Sequence, residues 1–412
     1  MKRRLAGVYF LYYGYVGATL GYLAPYLRGL GFSGEAIGSV ATAAQFVAAP
    51  AALIWAHAAD RRGSRTRQLR ICALGALAAI SALPIVRSPL AVGLVLACHA
   101  AFAGAVVPLL DSLTMEWARG APERSYARTR LFGSFGFVLV AQGLGAWLAA
   151  RGDRPADALV PLTAVACVAG YAALVQAAAT SDPVSTPDAP SFLKPASTSI
   201  RLAQVAALLR EPAILLLFGL CFVHWASCGP YHLLFGVLVR DLGLPSTVTG
   251  AGLALGVLAE VVALWAFPPL LRRFELAPLL AAACAGTALR WWLISRAHGA
   301  PAMVLLQLFH ALSFGLWWAC AVEAMGRLVP VGLRATGQAL FSALVFGAGN
   351  AVGYALSGAG YERLGGASRL FAAAGVVELV AIPLCALAAR HLARAQAAPP
   401  ASAEGGAPPG SA

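Results

Sequence analysis

The chain has 412 residues, is 60% hydrophobic and 11% charged, and carries a net charge of +13. A soluble domain is nearer half apolar and a quarter charged, so a chain of this length cannot bury so much apolar surface around water-facing cores, and its solvent is a bilayer. The positive charge does not point to nucleic acid: the basic residues fall in short clusters between apolar runs, as membrane orientation requires, and not along a phosphate-tracking groove.

Met1-Lys2-Arg3-Arg4 precedes an apolar run from Leu5 to Leu27. That run is long enough to span, and no small-residue cleavage site follows it, so it reads as a membrane helix and not a removed signal. A spanning helix needs about 20 largely apolar residues, and this ruler predicts about twelve. The first six are 6–27, 36–57, 69–87, 90–112, 129–150 and 157–178. After a Ser-, Thr- and Pro-rich stretch come 212–238, 247–270, 276–296, 301–326, 335–357 and 367–390. The stretch 179–209 reads as a polar linker with a short amphipathic helix at Ile200–Leu209, and the tail 395–412 as disordered.

The loops set an orientation. Arg61, Arg62, Arg65, Arg67 and Arg70, then Arg119, Arg124, Arg128 and Arg130, lie on the same side as Lys2, Arg3, Arg4 and the linker. The opposite loops are sparser in basic residues. The positive-inside rule then puts both termini in the cytoplasm, for a chain in an inner (plasma) membrane.

The halves repeat. At one offset Arg28 maps onto Arg240, Leu30 onto Leu242, Gly31 onto Gly243, Gly38 onto Gly250 and Asp111 onto Glu323. At a slightly shorter offset Arg130 maps onto Arg334 and Gly133 onto Gly337. The expected fold is an all-α integral membrane protein of two pseudo-symmetric six-helix bundles. They occupy 1–178 and 210–394, with the binding site at the midplane between them.

Three ionisable residues lie inside apolar runs of the second half: Glu260 in ALGVLAEVVALW, Arg290 in AAACAGTALRWWLI and His310 in MVLLQLFHALSF. A charge at the bilayer centre costs about 2.5–3.5 kcal/mol on insertion scales, so such residues face a bundle interior, pair with one another and mark a functional site. Glu260 in an apolar site can carry a proton at neutral pH. Arg290 can hold a carboxylate, from the substrate or from Glu260, and His310 can bond to either. His224 and His232 are eight positions apart and do not share a face closely, so both read as lone polar core residues. Trp291, Trp292, Trp317 and Trp318 read as packing or interface anchors. The eight cysteines all fall in apolar segments without metal-ligand spacing and read as filler.

Two stretches carry a family resemblance. Asp60-Arg61-Arg62-Gly63-Ser64-Arg65, after the second segment, resembles the loop signature of the major facilitator superfamily, with Ala56 in place of its first glycine. The resemblance makes Asp60, Arg61, Gly63 and Arg65 a cytoplasmic gate that latches the inner ends of the two halves. Pro108-Leu109-Leu110-Asp111 and Tyr126-Ala127-Arg128-Thr129-Arg130-Leu131-Phe132-Gly133 resemble the phenylpropionate-porter branch and, more distantly, the lactose permease-like proton symporters. This implies substrate-binding roles for Asp111 and Arg130, with Phe137 where those permeases stack a Trp on sugar. The resemblance continues through Glu260, Arg290 and His310, which it implies take part in proton and substrate binding. Ser313 stands where the lactose permeases have a coupling carboxylate.

The expectation is therefore a secondary active transporter, working by alternating access and coupling proton symport to a small aromatic carboxylate. A proton-coupled sugar or nucleoside permease is the alternative, followed by an exporter or a non-transporting sensor. Its partners would be a small-molecule substrate, protons and membrane lipids, with the chain acting as a monomer. No H-E-x-x-H, G-x-S-x-G or G-x-x-x-x-G-K-[ST] occurs, so neither an intramembrane enzyme nor ATP coupling is indicated, and no cofactor or metal site is expected.

Overall fold

The computed structural model describes residues 2–62, 64–177, 206, 208–330 and 333–397, with no strand among them. Helices α1 (Lys2–Gly29), α2 (Gly34–Arg62), α3 (Arg65–Ile80), α4 (Pro89–Ala103), α5 (Val106–Arg119), α6 (Tyr126–Ala150) and α7 (Leu159–Ala177) make the first half. The second half has α8 (Pro212–Ser227), α9 (Gly229–Asp241), α10 (Ser246–Arg273), α11 (Leu276–Arg296), α12 (Ala300–Leu305), α13 (Trp317–Leu328), α14 (Arg334–Phe341), α15 (Asn350–Arg363) and α16 (Ala367–Ala397). Between α12 and α13 the rod tightens to a 3₁₀ turn at Leu306–Phe309 and then widens to a π turn at Ala311–Leu316. A second π segment, Ser342–Gly349, joins α14 to α15.

Among the described residues, 10 helical rods are long and apolar enough to cross a membrane. The expectation of about twelve is met only that far. Helix α1 has 28 residues but begins Lys2-Arg3-Arg4, and Tyr9, Tyr12, Tyr13, Tyr15, Tyr22 and Tyr26 with its glycines dilute its hydropathy. Helix α3 has 16 residues and opens Arg65-Thr66-Arg67-Gln68. The expected linker 179–209 lies almost entirely outside the described residues, as do 398–412. Helix α16 runs to Ala397, slightly past the expected start of the tail.

Local chemistry ends the helices where the sequence punctuates them. Ser64, Ser88 and Ser125 accept hydrogen bonds from the backbone N–H three residues on, capping α3, α4 and α6. Gly31 (φ 89°) and Gly243 (φ 68°), equivalent positions of the repeat, both take the left-handed conformation that closes α1 and α9. The chain reverses there, with Phe32 N–H on Leu27 O and Leu244 N–H on Val239 O.

The rods leave two faces: a first-turn face, carrying the α1–α2 turn, and a terminal face, carrying the N-terminus and Ser64. The halves meet chiefly through α2 against α15, α6 against α10 and α1 against α9. Glycines allow these approaches: a methyl on Gly38 would sit 2.7 Å from the Gly358 Cα, and one on Gly358 2.6 Å from the Gly34 carbonyl. Polar contacts close the first-turn face. Glu362 accepts from Gly34 N–H at 2.6 Å and pairs with Arg28 at 3.5 Å. Arg240, the repeat partner of Arg28, donates to the Asp153 carbonyl at 2.5 Å, and the Asp153 carboxylate accepts from Ser246 N–H at 3.2 Å. Deeper, Gln45 donates to the Phe346 carbonyl and Thr42 to that of Ala351.

Candidate functional site

The three charged residues of the second half converge, with His310 in the middle. Arg290 Nη1 lies 3.2 Å from His310 Nδ1, and His310 Nε2 lies 3.4 Å from a Glu260 carboxylate oxygen. A guanidinium only donates, so Nδ1 accepts; in neutral imidazole the proton is then on Nε2, directed at Glu260. Of the two carboxylates that Arg290 could hold, Glu260 is reached through this ring and not directly. The Glu260 side chain is 34% exposed, whereas Arg290 is 0% exposed.

Arg290 is held without a carboxylate. Its Nη2 donates to Gln307 Oε1 at 2.5 Å, and its Nε has no partner. Among the described residues no acidic oxygen lies within 4.0 Å of it, the limit within which Glu260 meets His310 instead. Its guanidinium lies over Tyr231 (4.3 Å) and Trp291 (4.7 Å), with Phe314 at 6.0 Å. Cation–π contacts of this kind compensate part of the desolvation of a buried cation.

On the first half, Arg130 Nε lies 3.8 Å from Asp111, and Tyr9 donates to the same carboxylate at 2.5 Å. Arg130 also bonds to the Tyr13 hydroxyl and lies 4.2 Å above that ring. Phe137 is buried in α6, where its carbonyl packs against Gly17. Among the described residues no hydrogen bond or ion pair joins Asp111 or Arg130 to Glu260, Arg290 or His310.

A cavity of about 280 Å³ lies between the halves. Its polar lining is Tyr15, Thr19, Gln45, His99, His232 and Tyr354, none of which entered the set expected to bind substrate. His232, expected as a lone core residue, reaches this cavity; His99 is an isolated histidine in an apolar run, the same signal that singled out His310. A run of rings separates the cavity from Arg290: the His232 ring at the cavity is 5.3 Å from Phe314, which stacks on His310 at 4.0 Å. His99 Nδ1 faces the Ala76 carbonyl at 3.0 Å and so carries the hydrogen, leaving Nε2 a buried acceptor without a partner.

His224 is likewise no lone residue. Its Nδ1 is 2.7 Å from Glu378, and both side chains are 0% exposed. Glu378 is the single acid in the run FAAAGVVELVAIPL and was legible by the same reasoning as Glu260. Among the described residues the Ser313 hydroxyl bonds only to the Phe309 carbonyl, an ordinary helical contact.

Of the gate residues, Arg65 pairs with Glu116 at 3.4 Å, on α5 of its own half. Arg61 is exposed. Gly63 and the Asp60 side chain lie outside the described residues. The eight cysteines carry free thiols, with Cys98 exposed and the other seven buried.

The chain as a whole is similar to known proteins. It is 29% identical to the maltose permease of Geobacillus stearothermophilus over 350 residues, covering 83% of each chain. It is 24% identical to the probable 3-phenylpropionic acid transporter of Escherichia coli strain K12 over 369 residues, 88% of this chain and 92% of that one. The fold superposes on the nucleoside transporter NupG with a TM-score of 0.77 at 17% identity, covering 96% of this chain and 98% of that one. It also superposes on the POT family transporter PepTSo with a TM-score of 0.71 at 12% identity, covering 95% and 98%. The model of the MFS_1 like family matches residues 2–373, and the chain belongs to that family, as a multi-pass membrane transporter of the major facilitator type and not an enzyme.

Proposed function

We propose that the chain is a proton symporter for a small aromatic carboxylate, working by rocking the bundle 1–178 against the bundle 210–394. The observation that carries this reading is Arg290: a buried guanidinium with an unpartnered N–H, aromatic rings around it and no carboxylate of its own. An isolated buried charge is costly, and a ligand carboxylate is the chemistry that compensates it. The similarity to the 3-phenylpropionic acid transporter supports the same substrate class.

The relay supplies a coupling mechanism. With Glu260 ionised, its charge reaches Arg290 through the neutral His310 ring. Protonating Glu260 removes that counter-charge, so Arg290 then binds an anion more strongly. By linkage the bound anion strengthens proton binding at Glu260 to the same degree. Proton and carboxylate thus enter together, and since polar contacts join the halves at the first-turn face, this reading has solute exchange in this state at the terminal face. Positive-inside charge makes that the cytoplasmic face of an inner membrane. Asp111 and Arg130 serve as a further substrate contact from the first half.

A hydroxyl-rich solute is the second reading, favoured by the bare acceptor His99 Nε2, by Thr19 and Gln45 in the cavity, and by the similarity to the maltose permease. Thermal stabilisation of purified protein by 3-phenylpropionate and by maltose decides between them. Stabilisation by 3-phenylpropionate that vanishes in Arg290→Ala is expected. Stabilisation by maltose alone, unchanged in Arg290→Ala, overturns the carboxylate reading in favour of the second.

A further inference from the structure

The second half contains another polar cluster, sealed from the cavity. His224 Nε2 lies 2.9 Å from the Ser313 carbonyl, and its Nδ1 2.7 Å from Glu378 Oε1. Glu378 Oε2 lies 2.5 Å from the Ser227 hydroxyl, which is 2.8 Å from the His224 carbonyl. The chain of contacts thus begins and ends on backbone carbonyls, which only accept. The 2 imidazole contacts need one hydrogen each, and the 2 serine contacts share the single hydroxyl hydrogen, so the chain needs three. A neutral histidine, an ionised glutamate and a serine bring only two, the imidazole N–H and the hydroxyl hydrogen. One added proton, between Nδ1 and Oε1, supplies a third and brings the pair to zero net charge. Without it, a lone negative charge is left in a place that water does not reach.

We propose that His224, Glu378 and Ser227 form a binding site for a single proton, and that this proton fixes the π turn Ala311–Leu316. The imidazole holds that turn and the residue that follows it. Nε2 holds the Ser313 carbonyl, and the ring stacks on Trp317, just past the end of the turn, at 4.2 Å and 15°. The turn carries Phe314, which stacks on His310 and lies beside His232 at the cavity wall. π turns are rare and recur at functional sites. The proton at the dyad therefore sets the position of one wall of the candidate binding site from the side remote from the cavity.

The surrounding titratable groups are nearly all thiols. Cys221 and Cys228 face the pair from α8 and its C-terminal junction and Cys284 from α11, with Cys320 of α13 and Cys385 of α16 behind them, beside Cys221 and Cys284. His232 approaches from α9. Trp291 reaches Ser227 from α11 at 3.4 Å, while its neighbour Arg290 turns to Gln307 and His310. No cation pairs with Glu378 among the described residues other than His224. The proton on the dyad is thus what balances its charge.

Hydrogen–deuterium exchange of the full chain in lipid nanodiscs tests this without any substrate, and so independently of the symport reading. Peptides covering 311–317 are followed from neutral to strongly alkaline pH, normalised to intrinsic exchange and to a peptide from α6. Wild-type protection of the turn should fall several-fold once the proton is removed. In Glu378→Gln, which keeps the hydrogen bonds but cannot titrate, protection should stay level, whereas Glu260→Gln should behave as wild type. Wild-type protection that does not change with pH, or an equal change in Glu378→Gln, overturns the proposal. If Glu378→Gln does not fold, the double variant His224→Gln with Glu378→Gln, which also has no titratable group at the site, replaces it under the same criteria.

Discussion

Arg290 donates to His310 Nδ1 at 3.2 Å, and that one contact orients the imidazole so that its remaining N–H faces Glu260. The cation, the ring and the carboxylate come from three different rods, α11, the 3₁₀–π segment and α10. Arg290 and Glu260 are consequently the two ends of one hydrogen-bonded chain.

Replacing Arg290 tests the ligand end. A charged hydrogen bond contributes about 1.5–3 kcal/mol, or roughly 10–100-fold in affinity. Arg290→Ala is expected to weaken 3-phenylpropionate binding by at least that factor. Arg290→Lys should recover part of it, since it restores the charge without the planar fork. Titration calorimetry in detergent reads both values. Equal affinity in wild type and Arg290→Ala would place the ligand elsewhere.

Glu260→Gln tests the proton end. In proteoliposomes the variant should lose uptake driven by an imposed pH gradient and keep exchange of labelled for unlabelled 3-phenylpropionate, because the carrier still binds but no longer titrates. Gradient-driven uptake at the wild-type rate would remove Glu260 from the coupling.

The glycine contact between the halves bears on alternating access. A valine at Gly358 has no room beside Gly34 and Gly38 while the first-turn face is closed. Overpacking of this sort costs about 1–3 kcal/mol, enough to shift a two-state population some 5- to 100-fold. Spin labels on the first-turn ends of α2 and α15 should report longer separations in Gly358→Val, with uptake lost and thermal stability retained. Unchanged separations would show that closure does not depend on this contact.

Asp157, in the loop before α7, makes a pH prediction. Burial alone would raise its carboxyl. The Arg151 guanidinium at 2.8 Å and the Leu159 N–H at 2.9 Å outweigh that and hold it below the ordinary carboxylate value. A depressed folded value stabilises the fold in full above the unfolded value of about 3.9, and the contribution fades as pH falls through the lower folded value. Asp157→Asn should therefore lower the unfolding temperature at neutral pH, by an amount corresponding to about 1–2 kcal/mol. The gap from wild type should close on acidification below about pH 4. A gap that persists unchanged at low pH would mean that Asp157 acts through packing alone.

The sequence by itself determined the solvent, the helices and the charged residues. Apolar runs of bilayer length can satisfy their backbone groups only as helices, so the segments could be read with a ruler. The cost of a buried charge singled out Glu260, Arg290 and His310 before any fold was known. The same cost applied to Glu378 and was passed over, because nothing in the sequence says that α16 sets this acid against His224, a hundred and more positions earlier. The tertiary structure alone decided partners and order: that His310 stands between Arg290 and Glu260, that Arg65 meets Glu116 of its own half, and that His99 and His232 line the cavity. Spacing along a helix fixes only which face a side chain occupies. Which rod lies opposite that face is set by close packing across the whole bundle, at points such as Gly38 and Gly358 where two backbones touch.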